Sequence, residues 1–127
     1  MILLLDTNAL HWWLNDPSRL SAIAVKAMES RSNSIVVSAV VPWELAIKTN
    51  LGKLKNQTLL ANWEAKLAEE GFSELPIDSS HAIRAGLLPR HHNDPFDRVL
   101  AAQAQTTGWP IISADAVFDL YGVRRVW

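Results

Sequence analysis

Ile2-Leu3-Leu4-Leu5-Asp6-Thr7-Asn8 sets a carboxylate directly behind a run of four aliphatic residues. An apolar run of that length without polar alternation reads as a strand buried on both faces, as in a parallel sheet. The arrangement recurs along the chain. Glu44 lies six residues past Ile35-Val36-Val37-Ser38, Asp97 falls in Phe96-Asp97-Arg98-Val99-Leu100-Ala101-Ala102, and Asp115 comes just after Ile111-Ile112-Ser113. Open parallel sheets bind ligands outside the carboxyl ends of their strands. Carboxylates placed there meet in one pocket, and several cannot stay ionised at close range without a neutralising cation. The pattern points to a divalent-metal site built from oxygen ligands.

Further strands are expected at Glu74–Ile77, at Pro110–Ser113 and, more weakly, at Val123–Trp127. The stretches between have helical spacing. Leu59, Leu60, Trp63 and Leu67 share one face, as do Phe96, Val99, Leu100 and Gln103. Gly52, Gly71, Gly86, Gly108 and Gly122 each follow such a stretch and are read as helix stops. Strands alternating with helices imply right-handed crossovers. The expected architecture is a single α/β domain over residues 1–127: a three-layer α/β/α sandwich with a four- to five-stranded parallel sheet. The helical pair at 39–70 is its least ordinary connection.

Composition narrows the class. With 127 residues and 49% hydrophobic residues the chain can bury a core and is not disordered. It has no cysteine, which removes disulfides and thiolate zinc sites. The N-terminal apolar run is far too short for a signal segment or a membrane span, so a cytoplasmic protein without a membrane partner is expected. Net charge is −1, so composition alone gives no basic face for nucleic acid. A bound metal and a few local cations change the field at a site.

Each acid also has a plainer reading. Asp6 and Asp115 sit where they can cap helices. Asp94-Pro95-Phe96-Asp97 looks like a helix start, with Asp94 as N-cap, Pro95 at the first helical position and Asp97 reaching back. Glu44 lies in apolar surroundings and needs a partner, which Lys48 can supply one turn on. Capping does not require convergence on one sheet edge, whereas parallel topology brings all four acids there. Helix N-termini at that edge add positive potential for anionic groups, including phosphate.

Taken in order, Leu5-Asp6-Thr7-Asn8-Ala9-Leu10, Trp43-Glu44-Leu45-Ala46-Ile47-Lys48, Gly52-Lys53-Leu54, His92-Asn93-Asp94-Pro95-Phe96-Asp97-Arg98 and Ser113-Ala114-Asp115 are distributed along most of the chain. This ordered set resembles the PIN-domain family, and within it the VapC-type ribonuclease toxins of toxin–antitoxin pairs. The resemblance implies that Asp6, Glu44, Asp97 and Asp115 form an acidic quartet binding Mg²⁺ or Mn²⁺. It matches Asn8 and Ser113 to polar accessory positions. It implies hydrolysis of RNA phosphodiester bonds, a cognate antitoxin as partner, and a homodimer. The family often has threonine at Ser113 and sometimes arginine at Ala114. One metal or two stays open.

Arg98, beside Asp97, is a candidate substrate contact that either meets phosphate or pairs with an acid. His91-His92 reads as a solvent-facing turn pair rather than a ligand pair. Trp12 and Trp13 are adjacent in an expected helix and cannot both face one core stripe, so one is assigned to an interface, where the antitoxin's apolar groove is expected. Trp63 is read as core. A response-regulator receiver is set aside because no lysine follows Lys66, and a haloacid-dehalogenase-like phosphatase because position 8 is Asn. The alternative of another class is a catalytically silent binding module of the same fold.

Overall fold

The structure, a computed structural model, describes residues 1–127. Five parallel strands form one sheet: β1 Ile2–Leu5, β2 Ser34–Ser38, β3 Ser73–Leu75, β4 Ile111–Ile112 and β5 Arg125–Val126, in the order β3-β2-β1-β4-β5. Eight helices join and cover them: α1 Thr7–Asn15, α2 Ala22–Glu29, α3 Val40–Asn50, α4 Gln57–Ala61, α5 Trp63–Glu70, α6 Ser79–Leu87, α7 Pro95–Thr107 and α8 Val117–Leu120. The α/β architecture is the one expected. No helix is long and apolar enough to cross a membrane.

β1 is the centre of the sheet, which explains its unbroken aliphatic run. Leu5 pairs with Val37 on one side and Ile112 on the other, and Leu3, Leu4 and Leu5 are buried. Leu100, Ala101 and Ala104 of α7 and Val40, Val41 and Leu45 of α3 join the same core. The winding reverses at β1: β2 and β3 lie to one side, β4 and β5 to the other. The crevice beyond the carboxyl ends of β1 and β4 is therefore a topological switch point, where such sheets bind ligands.

Several boundaries depart from the sequence reading. Gly86 lies inside α6 and has no positive φ; the helix ends at Leu87, with Leu88 extended (ψ 149°) ahead of Pro89. A residue before proline is pushed out of the helical region, so Pro89 sets the stop. The other four glycines do adopt left-handed φ near 70–75°. β3 runs Ser73–Leu75 rather than to Ile77, because Pro76 lacks the N–H to continue the ladder. β4 and β5 are shorter than expected. The connection at 39–70 holds three helices, the chain breaking at Asn62 (φ −120°), whose side-chain amide donates to the Thr58 carbonyl at 2.9 Å.

Trp12 and Trp13 divide the surfaces differently from the expectation of one buried and one exposed. Both are half-buried against the core. Trp12 packs on Trp127 with ring centroids 5.9 Å apart, under the Arg19 guanidinium. The Trp13 indole N–H donates to Glu70 at 3.0 Å. Trp63 is also half-buried against the core, its N–H on Glu74 at 2.8 Å.

Candidate active site

Asp6 follows β1 and caps α1, its carboxylate accepting the Ala9 N–H at 2.7 Å. Capping and site membership are thus not alternatives, since one oxygen serves the helix and the group still faces the switch point. The Ser113 hydroxyl, just past β4, lies near enough to favour the ionised form of this carboxylate. Asp6 is only 6% exposed. Burial pushes its carboxyl up to about 6; the Ser113 hydroxyl and the Ala9 N–H oppose the rise, and the charges of Asp115 and Glu44 add to it.

Glu44, in the second turn of α3, is buried and held from two sides. Its Oε1 accepts the Thr7 hydroxyl at 2.6 Å, and its Oε2 meets Lys48 Nζ at 2.6 Å. The Lys48 partner expected from helical spacing is present, and Thr7 adds a tie to α1 that the sequence reading missed.

Asp97 stands in the first turn of α7. Burial, followed by the charges of Asp94, Glu44 and Asp6, drives its carboxyl well above the usual carboxylate range, with His92 working the other way. Asp94 is the N-cap, accepting the N–H of Phe96 at 2.8 Å and of Asp97 at 3.4 Å. Asp97 does not reach back to complete a capping box; its Oδ2 lies 2.9 Å from Nε2 of His92. That nitrogen is also 3.9 Å from Oδ2 of Asp115. Asp115 is the most exposed of the four acids; its Oδ1 accepts the Val117 N–H, and its own N–H donates to Ser113 Oγ.

The accessory candidates separate. Ser113 is fully buried; its Oγ accepts the Asp115 N–H at 3.0 Å, and it favours the ionised form of Asp6. Asn8 is exposed in the first turn of α1. Arg98 pairs with no acid. Its guanidinium donates to the carbonyls of Gly86, Leu88, Pro89 and His92. It clamps the preceding loop, so of the two alternatives read from the sequence the pairing with an acid is not formed, and both terminal nitrogens are engaged within the chain. His92, read as a turn residue, is at the acids, while His91 is exposed and packs edge-on to Tyr121. The signal for His92 was its place two residues before the N-cap, where its Nδ1 accepts the Asp94 N–H at 3.3 Å.

Carboxylate donors of this kind fit a hard divalent cation; the ligand atoms that converge within 4.8 Å here are those of His92, Asp94 and Asp97, while Asp6, Glu44 and Asp115 lie outside that group. The electrostatic couplings tie Asp6 to Asp115 and Glu44, and Asp97 to Glu44 and Asp6. Two of these acids resist ionisation where they stand, the condition a cation relieves. Oxygen-only ligation suits Mg²⁺ or Mn²⁺. Beside the cluster, Trp43 is 54% exposed and meets Phe96 edge-on at 5.1 Å; each aromatic adjoins one of the acids in sequence.

An acidic set at the switch point of a β3-β2-β1-β4-β5 parallel sheet defines a class: the chain belongs to the PIN-domain family, whose model matches residues 3–123. The VapC branch follows from a curated relative, Ribonuclease VapC22 of Mycobacterium tuberculosis, 32% identical over 113 residues, which are 88% of this chain and 85% of that protein. Among solved structures, VapBC-1 from nontypeable Haemophilus influenzae superposes with a TM-score of 0.64 at 17% identity, covering 98% of this chain and 96% of that one. FitAcB from Neisseria gonorrhoeae does so with a TM-score of 0.63 at 21% identity and the same coverage. At these identities the superpositions speak for the fold.

Proposed function

We propose that the chain is a metal-dependent endoribonuclease, the toxin of a toxin–antitoxin pair. The observation that carries the reading is the electrostatic coupling that links Asp6 to Asp115 and Glu44, and Asp97 to Glu44 and Asp6, with burial raising Asp6 and Asp97. The relationship to a ribonuclease of the VapC branch supports RNA as substrate. Mg²⁺ or Mn²⁺ held there supplies an activated water and polarises a phosphoryl oxygen. Asp6 and Asp97 are the core ligands in this reading, with Glu44 a ligand directly or through water and Asp115 completing the weaker position. Ser113 orients Asp6 and Asp115. Thr7 and Lys48 hold Glu44 in its rotamer. Asn8 is free to meet water or substrate.

Partners follow the same logic. A shallow hollow of about 340 Å³, lined by Leu14, Asn15, Asn56, Leu59 and Lys66 among others, opens beside the end of α1. It lies one residue past the Trp12-Trp13 pair, where the antitoxin segment is expected, and only two of its eight lining residues are hydrophobic. Ile83 and Leu87 of α6 are 63% and 81% exposed, an apolar patch that suits a second copy of the chain.

The deciding experiment is RNA cleavage by the purified chain and by its Asp6→Asn variant, with Mg²⁺, with Mn²⁺ and with chelator. Cleavage that needs metal and Asp6 is expected. A wild-type chain that binds its partner yet never cuts RNA identifies the silent binding module instead.

A further inference from the structure

The segment before α7 is held by a built set of contacts. Arg98 donates to the carbonyls of Gly86, Leu88, Pro89 and His92 at 2.9–3.3 Å. The Tyr121 hydroxyl donates to the Pro89 carbonyl at 3.0 Å and accepts the His92 N–H at 3.1 Å. His92 is therefore fixed through both its backbone N–H and its carbonyl. Its ring is fixed as well, with Nδ1 accepting the Asp94 N–H and Nε2 lying 2.9 Å from Asp97 Oδ2.

A ring nitrogen that accepts an N–H carries no proton of its own, so the neutral ring keeps its proton on the other nitrogen. Nε2 is then the donor to Asp97 and has no lone pair to offer a cation. His92, Asp94 and Asp97 do present potential ligand atoms within 4.8 Å of one another. Asp94 caps its helix and His92 is committed by its tautomer, which leaves Asp97 as the ligand of the three. We infer that His92 is a positioning residue: its Nε2–H sets the orientation of the Asp97 carboxylate for the metal, and it is not itself a ligand. The inference rests on the metal-site reading above. It keeps the site all-oxygen, against ions that seek imidazole.

Two variants separate this role from a structural one. In His92→Asn the amide oxygen can replace Nδ1 at the Asp94 N–H, but nothing reaches Asp97. In His92→Gln the amide N–H reaches as Nε2–H does, and the Nδ1 contact is lost. Titration calorimetry of the full chain with Mn²⁺ is expected to show His92→Asn binding about 10–100-fold more weakly, the usual effect of losing a group that orients a ligand. His92→Gln is expected to bind close to wild type. The reverse ranking, or no change in either, overturns the inference. So does nitrogen hyperfine coupling from His92 to bound Mn²⁺. Ring nitrogen NMR of the metal-free chain is expected to place the proton on Nε2, and a proton on Nδ1 also overturns it. This last measurement needs no metal, so a wild-type chain that fails to bind Mn²⁺ defeats the metal-site reading while the His92–Asp97 hydrogen bond is still judged separately.

Discussion

The Thr7 hydroxyl donates to Glu44 Oε1 at 2.6 Å, so the residue after one acid of the cluster is the anchor of another. α1 and α3 are locked together at the sheet edge by this contact. Thr7→Val keeps the shape and removes the donor from a buried carboxylate. A hydrogen bond to a charged group contributes about 1.5–3 kcal/mol, and a loss in that range is expected in denaturant unfolding. Lys48 remains on the other oxygen, so the variant folds. An unchanged unfolding midpoint would show that the contact is energetically idle.

Asp94 and Asp97 are distinguished by geometry, although the motif alone confuses them. Asp94→Asn is expected to keep the N-cap and most activity, since Asn caps as well as Asp. Asp94→Ala should lose about 1 kcal/mol of stability with little change in metal affinity. Asp97→Asn should melt normally without metal and lose both metal binding and turnover. Mn²⁺ calorimetry on the two Asn variants decides the matter. Metal loss in Asp94→Asn with retention in Asp97→Asn reverses the assignment.

Asp6 gives the metal-free chain a pH dependence of definite sign. Its folded pKa of about 6 exceeds the ordinary aspartate value of 3.8, so the folded state holds the proton more tightly than the unfolded state. Stability associated with that proton is fully present below about pH 4 and is lost as pH rises through about 6, a change of about 3 kcal/mol at about 1.4 kcal/mol per unit. Asp6→Asn keeps the cap and cannot ionise. Without metal at pH 8 it should melt several degrees above wild type, and near pH 4 the two should coincide. Mn²⁺ at pH 8 should reverse the ranking. A difference between them that ignores pH would refute the account.

Arg98 is expected to matter through the loop it clamps. Arg98→Ala removes donors to carbonyls spread over residues 86–92 and should cost about 1–3 kcal/mol. Hydrogen exchange should rise over 88–92 first. Arg98→Lys should not rescue it, because a point-like ammonium cannot copy a planar fork that reaches several acceptors at once. Full rescue by lysine would mean that charge alone is at work.

The exposed pair on α6 tests assembly. Ile83→Lys with Leu87→Lys is expected to leave metal-dependent RNA cleavage intact in each chain while converting a dimer to a monomer in light scattering. A wild-type chain that is monomeric at micromolar concentration removes the dimer from the proposal. An antitoxin footprint in hydrogen exchange that spares residues 9–14 removes the proposed groove.

The parts legible in the sequence were those written locally. β1 reads as a central strand because all of Leu3, Leu4 and Leu5 are buried between two neighbours. The start of α7 reads from Asp94-Pro95, where cap and ring conformation agree. The acids were legible as a set because parallel topology sends strand ends and helix starts to one edge. What was hidden depends on contacts distant in sequence. His92 is placed by Tyr121, 29 positions on, and by Arg98, which sequence inspection paired with phosphate or an acid. Gly86 misled because proline three residues later, not the glycine, ends α6. Trp12 and Trp13 find partners at Trp127 and Glu70, so adjacency in a helix did not force one of them into the open.

The order β3-β2-β1-β4-β5 has a temporal side. Chains emerge from the ribosome from the N-terminus onward, and β1 cannot gain its second neighbour until Ile111 and Ile112 have been made. Until then Asp6 lacks Ser113 and Asp115, and half of the crevice does not exist. On the proposed reading, a ribonuclease is thereby kept inert beside the translation machinery while it is being synthesised. On that reading its hazard begins only when β4, near the end of the chain, slots in next to the first strand.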